Sequence, residues 1–413
     1  MNGSAALAKR LASIYEFGGE ATSSKRNLPM EGLRGFAVTL VFFVHYNGLL
    51  NPWLSPDSHS FALSNFLGSI GHSGVDLFFV LSGYLIYGSI IKKHRSYFSF
   101  IRRRIQRIYP TFLCVFAIYL LLSILFPGEN KIPANANAGA LYILENVLLL
   151  PGLFNIQPII TVAWSLSYEF FYYLFIPVLV GILGMRQWRP SIRVVFFIGL
   201  AIAFTGYCVV GHHPHIRLIM FISGILLFEA RHSFNLGENL GPRSDSFVTL
   251  LLFATFPLIY ALVERPELFP FLPNVAHFGE VYRIALLFVS FFIFTLACFS
   301  LRSFWSRIFS WTPIRWLGNM SYSYYLIHGL TLKAVALVML HVIHPSGNQM
   351  VAFWLGLPIS FFLTLVTATI LFVLVERRFS LMPGSSRQIR NEVISSGEDK
   401  IVPLPLAEKR TAT

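Results

Sequence analysis

Charged side chains are scarce in this 413-residue chain: Asp, Glu, Lys and Arg make up 12% of it, whereas 55% is hydrophobic. A soluble domain needs about twice that charge to cover its surface, so a soluble globular protein is excluded. Cysteine is scarcer still. Cys114, Cys208 and Cys298 each sit inside an apolar block, where they act as small packing residues, and neither disulfides nor a metal site is expected. The N-terminal stretch Met1 to Met30 is polar and has no apolar core ahead of a small-residue cleavage site. The expectation is that no signal peptide is removed and that the first membrane helix directs insertion. No internal repeat stands out, which weighs against transporters built from repeats with broken helices at matching positions.

What the chain does have is apolar residues, among them 41 Phe and 17 Tyr, in blocks of about 18 or more, the length that spans lipid as a helix. Ten such blocks are read, at 33–50, 66–91, 108–126, 162–184, 192–211, 215–230, 246–263, 283–301, 320–342 and 350–375. The fold class is therefore all-α, a polytopic membrane bundle of about ten transmembrane helices. The segment 141–154 is apolar but short and broken at Pro151-Gly152, which predicts an interfacial or re-entrant piece. Three regions follow: a cytosolic N-terminal segment (1–30), a transmembrane domain (31–378) and a Ser-, Gly- and charge-rich cytosolic tail (379–413) expected to be disordered.

The net charge of +13 does not indicate nucleic acid, because the basic residues lie at the ends of apolar blocks. With the N-terminus inside, 27 of the 32 Lys and Arg, Arg34 included, fall on inner segments. Only Lys131, Arg217, Arg265 and Arg283 fall in outer loops, and Lys333 lies within a span. This is the positive-inside rule, and it puts both termini in the cytosol.

Ionisable residues inside a bilayer cost about 2.5–3.5 kcal/mol even on the lenient insertion scale, so each needs a reason. Arg34 and His45 are eleven residues apart on the first span, about three turns, so both project from one face roughly 16 Å apart. His72 and Asp76 are four apart on the second span and share a face. Glu169 enters at a depth similar to His45, so the imidazole and the two carboxylates are expected to converge. The competing reading is a polar cluster that only specifies helix packing. Arg104 and Arg107, three apart, end a basic stretch that leads into the third span and suit phosphate binding; a surface helix on anionic lipid is the bland alternative. Ser321, Tyr325 and His328 form a stripe on the ninth span.

Five stretches resemble the acyltransferase-3 family of membrane O-acyltransferases. They are Glu31-Gly32-Leu33-Arg34-Gly35 with His45-Tyr46, Phe78-Phe79-Val80-Leu81-Ser82-Gly83-Tyr84, Arg104-Ile105-Gln106-Arg107-Ile108-Tyr109-Pro110, Trp164-Ser165-Leu166-Ser167-Tyr168-Glu169, and Leu317-Gly318-Asn319-Met320-Ser321 through His328. The likeness runs from about Glu31 to Arg378. Tyr84 after Ser82-Gly83, and Tyr168 before Glu169, are variations on the family pattern. The family's frequent SGNH-type extension is not expected, since 35 residues follow Arg378.

The resemblance implies transfer of an acyl group, most often acetyl, from acyl-CoA to a hydroxyl of a glycan or glycolipid, in a bacterial cytoplasmic membrane. Membrane lipid and glycan-assembly proteins are the further partners it implies. Acetyl-CoA is then the donor, its phosphates held by Arg34, Arg104 and Arg107, with Ser82 and Tyr84 beside it. His45 is the candidate general base, since neutral imidazole titrates near the working pH. Glu169 or Asp76 is the candidate orienting carboxylate. An acyl-histidine intermediate fits the same residues. Ser82, Tyr84 and Tyr168 are candidate oxyanion donors, and His72, His328 and Tyr325 are further site candidates. The alternative function is a secondary transporter of a saccharide or lipid-linked saccharide, with the intramembrane His, Asp and Glu as a proton relay.

Overall fold

A computed structural model describes residues 10–16, 27–93, 96–211, 214–238, 240–342 and 349–381. The tail from 382 onward and most of the N-terminal segment lie outside the described residues. The described residues are helical throughout, apart from loops and one isolated bridge between Pro151 and Phe154. The principal helices are α1 (Leu28–Leu50), α2 (His59–Gly71), α3 (Ser73–Ile91), α4 (Tyr97–Leu125), α5 (Ala136–Val147), α6 (Ala163–Ile182), α7 (Pro190–Gly211), α8 (Ile219–His232), α9 (Pro242–Glu264), α10 (Val275–Cys298), α11 (Phe304–Phe309), α12 (Thr312–Asn319), α13 (Ser321–Val342) and α14 (Gly356–Leu371). The last is flanked by π-helical turns, Val351–Leu355 and Phe372–Leu381.

Nine helical segments among the described residues are long and apolar enough to cross a membrane. The protein is a multi-pass integral membrane protein. The sixth expected span, 215–230, is instead a 3-10 turn, Ile216–Leu218, leading into the 14-residue α8. At 1.5 Å per residue α8 is shorter than a bilayer core is thick. It is hydrophobic all round and sunk in the bundle against α3 and α10, as such a helix must be.

Three spans begin earlier than the apolar blocks suggest. The second starts at His59, where Ser58 caps the helix by accepting the Phe61 N–H, and it breaks at His72. The third starts at Tyr97, so Arg104 and Arg107 are helical residues and not part of a loop. The eighth starts at Val275, so Arg283 lies inside a helix and is buried. On the third span the long basic side chains reach outward from the backbone, so the helix continues beyond the apolar block, whereas on the eighth the buried Arg283 is accommodated by its ion pair with Glu280. The segment 141–154 does not cross: α5 has 12 residues, and the chain then turns back at Gly152, whose φ is +95°.

Two glycine seams set how the central helices meet. A Cβ on Gly318 of α12 would lie 1.7 Å from the carbonyl oxygen of Glu31, and one on Gly32 or Gly35 of α1 would strike the carbonyl of Phe309 or Ile314. Between α3 and α8, Gly83 and Gly224 make the same kind of contact with Phe221 and Val80. In lipid, where packing and not water exclusion drives association, small residues are what let backbones approach this closely. The motif glycines around Arg34 and after Ser82 therefore hold those side chains in register with their neighbours.

Candidate active site

One cavity, of ≈ 130 Å³, opens at the basic end of the bundle. It collects Arg34 from α1, Ser82 from α3, Arg104 and Arg107 from α4, Glu169 and Tyr173 from α6, and Tyr322 and Tyr325 from α13. Arg104 and Arg107 reach it together because residues three apart share a helix face. The Arg104 guanidinium sits over the Phe100 and Tyr173 rings at 5.1 and 4.9 Å. Arg107 is bound at 2.6 Å by Glu376 and lies over the Tyr322 ring. Arg34 makes no hydrogen bond or ion pair to another described residue. Glu169 accepts hydrogen bonds from Ser82 at 3.0 Å and Tyr173 at 2.5 Å. The cavity thus presents three guanidinium groups, of which one is neutralised by a carboxylate.

Glu376 was not anticipated from the sequence. It is fully buried and also accepts from the Ser323 backbone and hydroxyl. The available signal was a lone carboxylate at the inner end of the last apolar block, directly before Arg377 and Arg378.

A second cavity, of ≈ 600 Å³, lies further along α1 and contains His45. Leu122 and Ser123 of α4, Val162 ahead of α6, and Leu326 and Gly329 of α13 also line it. No residue lines both cavities. Between them stands a wall made by Tyr325, whose hydroxyl bonds to Ser165 at 2.7 Å and donates to the Val162 carbonyl at 3.2 Å. The His45 ring packs edge-on against His328, centroids 4.8 Å apart. His328 is fully buried; its Nδ1 bonds the Tyr324 carbonyl at 3.0 Å, and its Nε2 has no partner. A carbonyl only accepts, so Nδ1 carries the proton and Nε2 a free lone pair.

The expected convergence of His45, Asp76 and Glu169 does not form. Asp76 is buried and bound through both oxygens by Arg217, at 3.2 Å. Arg217 also reaches Glu280, which in turn pairs with Arg283 at 2.7 Å. This clamp ties α3, the turn before α8, and α10 together. Glu169 faces the first cavity. His72 stands exposed at the break between α2 and α3, on the side of Asp76: Arg217 donates to its carbonyl at 3.4 Å while it binds the Asp76 carboxylate. Tyr84 lies outside both cavities, against Phe228, His232 and Phe299. Tyr168 also lies outside them, its hydroxyl bonded to His215 at 2.7 Å.

Breaking a buried pair by removing one charge costs about 3–5 kcal/mol. Asp76→Asn is therefore expected to lower the melting temperature of the detergent-purified protein markedly while leaving its affinity for acetyl-CoA unchanged. Thermal unfolding and ligand titration measure the two effects separately.

A family model described as an acyltransferase domain (acyltransferase 3) matches residues 28–373. The chain belongs to this family. Among curated proteins it is similar to the O-acetyltransferase OatA of Staphylococcus aureus, 26% identical over 348 residues, covering 78% of this chain and 52% of that one. The peptidoglycan O-acetyltransferase OatA of Listeria monocytogenes is 29% identical over 336 residues, covering 74% and 49%. A putative O-acetyltransferase of S. aureus is 25% identical over 390 residues, covering 87% and 58%. The chain spans about half the length of the curated relatives it matches. No solved structure matches it. In this acyltransferase-3 protein, motif residues Arg34, Ser82, Arg104, Arg107 and Glu169 line one cavity, while His45 lines the other.

Proposed function

We propose that the protein transfers an acetyl group from acetyl-CoA to a hydroxyl of a cell-surface or exported glycan, in a bacterial cytoplasmic membrane. One observation carries this reading. A single helix delivers a guanidinium with no ion-pair partner among the described residues, Arg34, to a cavity at the basic end and, eleven residues on, an imidazole, His45, to a cavity beyond the wall. The concentration of Lys and Arg at the basic end supports a cytosolic N-terminus, and with α8 completing a tenth crossing inside the bundle the C-terminus lies on the same side.

Phosphates are held best by guanidinium groups, whose planar fork offers two parallel donors. Arg34 and Arg104 take the donor phosphates, with Arg107 in support because Glu376 already occupies part of its fork. The arm carrying the thioester is long enough to continue along α1, and it reaches His45 when the Tyr325–Ser165 hydrogen bond opens. His45 then removes the proton of the acceptor hydroxyl, whose oxygen attacks the thioester carbonyl. The tetrahedral intermediate collapses with loss of the coenzyme A thiolate, which takes the proton back from the imidazolium. His328 takes the place of a carboxylate beside the base: its ring packs edge-on against the His45 ring, and its Nε2, which has no partner in the resting arrangement, carries the lone pair available to the imidazolium that forms. Holding both substrates at one imidazole is itself worth about 7–11 kcal/mol in such a reaction. The names of the relatives, O-acetyltransferases acting in one case on peptidoglycan, support a glycan acceptor.

The test is acetyl-CoA binding by the purified protein in lipid nanodiscs. Saturable binding that weakens with salt and with charge removal at Arg34 is the expected result. A saccharide transporter driven by a proton relay would bind no acetyl-CoA, and that outcome would replace this reading.

A further inference from the structure

The second cavity, of ≈ 600 Å³, has room for the thioester end of the donor, a saccharide unit at its rim and further acyl carbons beside His45. Its lining has two zones. Around His45 it is mostly hydrocarbon, with Leu122, Ile159, Leu326 and Leu330; Tyr119, Ser123 and Thr161 are the polar members there. Towards its outer rim stand Lys131, Lys333 and Glu129, the last two paired at 2.5 Å. Burial, and then the neighbouring Lys333 ammonium, hold the Lys131 amine below its usual pKa. The rim offers a saccharide the polar partners it needs. The inner zone offers few, and a sugar hydroxyl buried there unpaired costs free energy.

Gly329 lies in the wall of this inner zone, next to His328. A Cβ built on it would meet nothing within 4 Å, so no helix packing depends on the missing side chain. Glycine inside a helix is less favourable than alanine by about 0.5–1 kcal/mol. What the glycine supplies at this position is space.

We infer that the hydrocarbon zone beside His45 is an acyl-chain pocket: the enzyme accepts acyl-CoA donors longer than acetyl, and Gly329 sets the upper limit of chain length. This rests on the donor reading above. The thioester carbonyl must lie against His45 to react, so the acyl tail projects past it along Leu326, Gly329 and Leu330. The acceptor comes from the polar rim. Each methylene buried there improves affinity about fourfold.

The experiment is competition of unlabelled acetyl-, butyryl-, hexanoyl- and octanoyl-CoA against radiolabelled acetyl-CoA on the full chain in nanodiscs, comparing wild type with Gly329→Ala and Gly329→Leu. Wild-type affinity is expected to rise with chain length. Gly329→Leu is expected to lose the gain for the longer donors, a much larger change than any in its affinity for acetyl-CoA, with Gly329→Ala intermediate. Size-exclusion profiles establish that the variants fold. A flat chain-length profile in wild type, or an unchanged rise in Gly329→Leu, would overturn the pocket while leaving acetyl-CoA as donor. Absence of acetyl-CoA binding to any of the proteins would instead remove the donor reading, and this inference with it.

Discussion

Replacement of His45 by alanine is expected to lower the rate of acetyl transfer by about two to four orders of magnitude, the span that a positioned general base contributes, with little change in the affinity for acetyl-CoA. The separation follows from geometry. The imidazole lies in the cavity beyond the wall, away from the guanidinium groups that hold the donor phosphates. The protein should also fold normally, because His45 is only half-buried and its recorded side-chain contact is the ring of His328. Steady-state rates on isolated membranes, combined with acetyl-CoA titration of the purified variant, give both quantities. His45→Gln keeps the size and polarity of the side chain but cannot take a proton, and it should be as inactive as the alanine variant. A glutamine variant with more than about one tenth of wild-type turnover would remove His45 from the role of base, since that is less than a positioned base contributes.

The second large effect belongs to Arg34. Its guanidinium has no ion-pair partner among the described residues, so its removal leaves no buried carboxylate uncompensated and should not destabilise the fold. A hydrogen bond to a charged group contributes about 1.5–3 kcal/mol, and each 1.4 kcal/mol is tenfold. Arg34→Ala is therefore expected to raise KM for acetyl-CoA by about ten- to a hundredfold with kcat largely retained, the pattern of lost uniform binding. Arg34→Lys should recover only part of the loss, because an ammonium cannot make the bidentate contact. The measurement is kcat and KM at two salt concentrations; an unchanged KM would end the assignment of Arg34 to the donor phosphates. Arg107 should behave differently. It already satisfies the buried Glu376, so losing it leaves that carboxylate uncompensated and costs stability as well as affinity.

The membrane architecture was legible because block length and charge are properties of one helix at a time. The gathering of Arg34, Arg104 and Arg107 at one end was legible for a related reason: depth can be counted along a span, and three cations at one depth near the basic end can meet. Relations between helices were harder to read. Asp76 and Glu169 stand at depths that allow a meeting with His45, but which neighbour a carboxylate finds depends on how helices rotate against one another. That rotation is set here by backbone contacts at Gly318, Gly83 and Gly224. Arg217 was read as an outer-loop residue, yet α8 is so short that the turn before it descends beside α3 and brings the guanidinium to Asp76. His328 was visible only as part of a stripe, because its partner is on α1, 283 positions away in the chain. Glu376 escaped because its span runs as a π-helical turn past the end of the apolar block.

The Tyr325–Ser165 contact also bears on the energetics of the cell. A channel wet from end to end would let ions and protons run down their gradients, since permeation needs only a continuous polar path. With a phenol locked to a serine and to a backbone carbonyl between the two chambers, the path proposed for the donor arm is closed at rest, and the electrical insulation of the bilayer is kept.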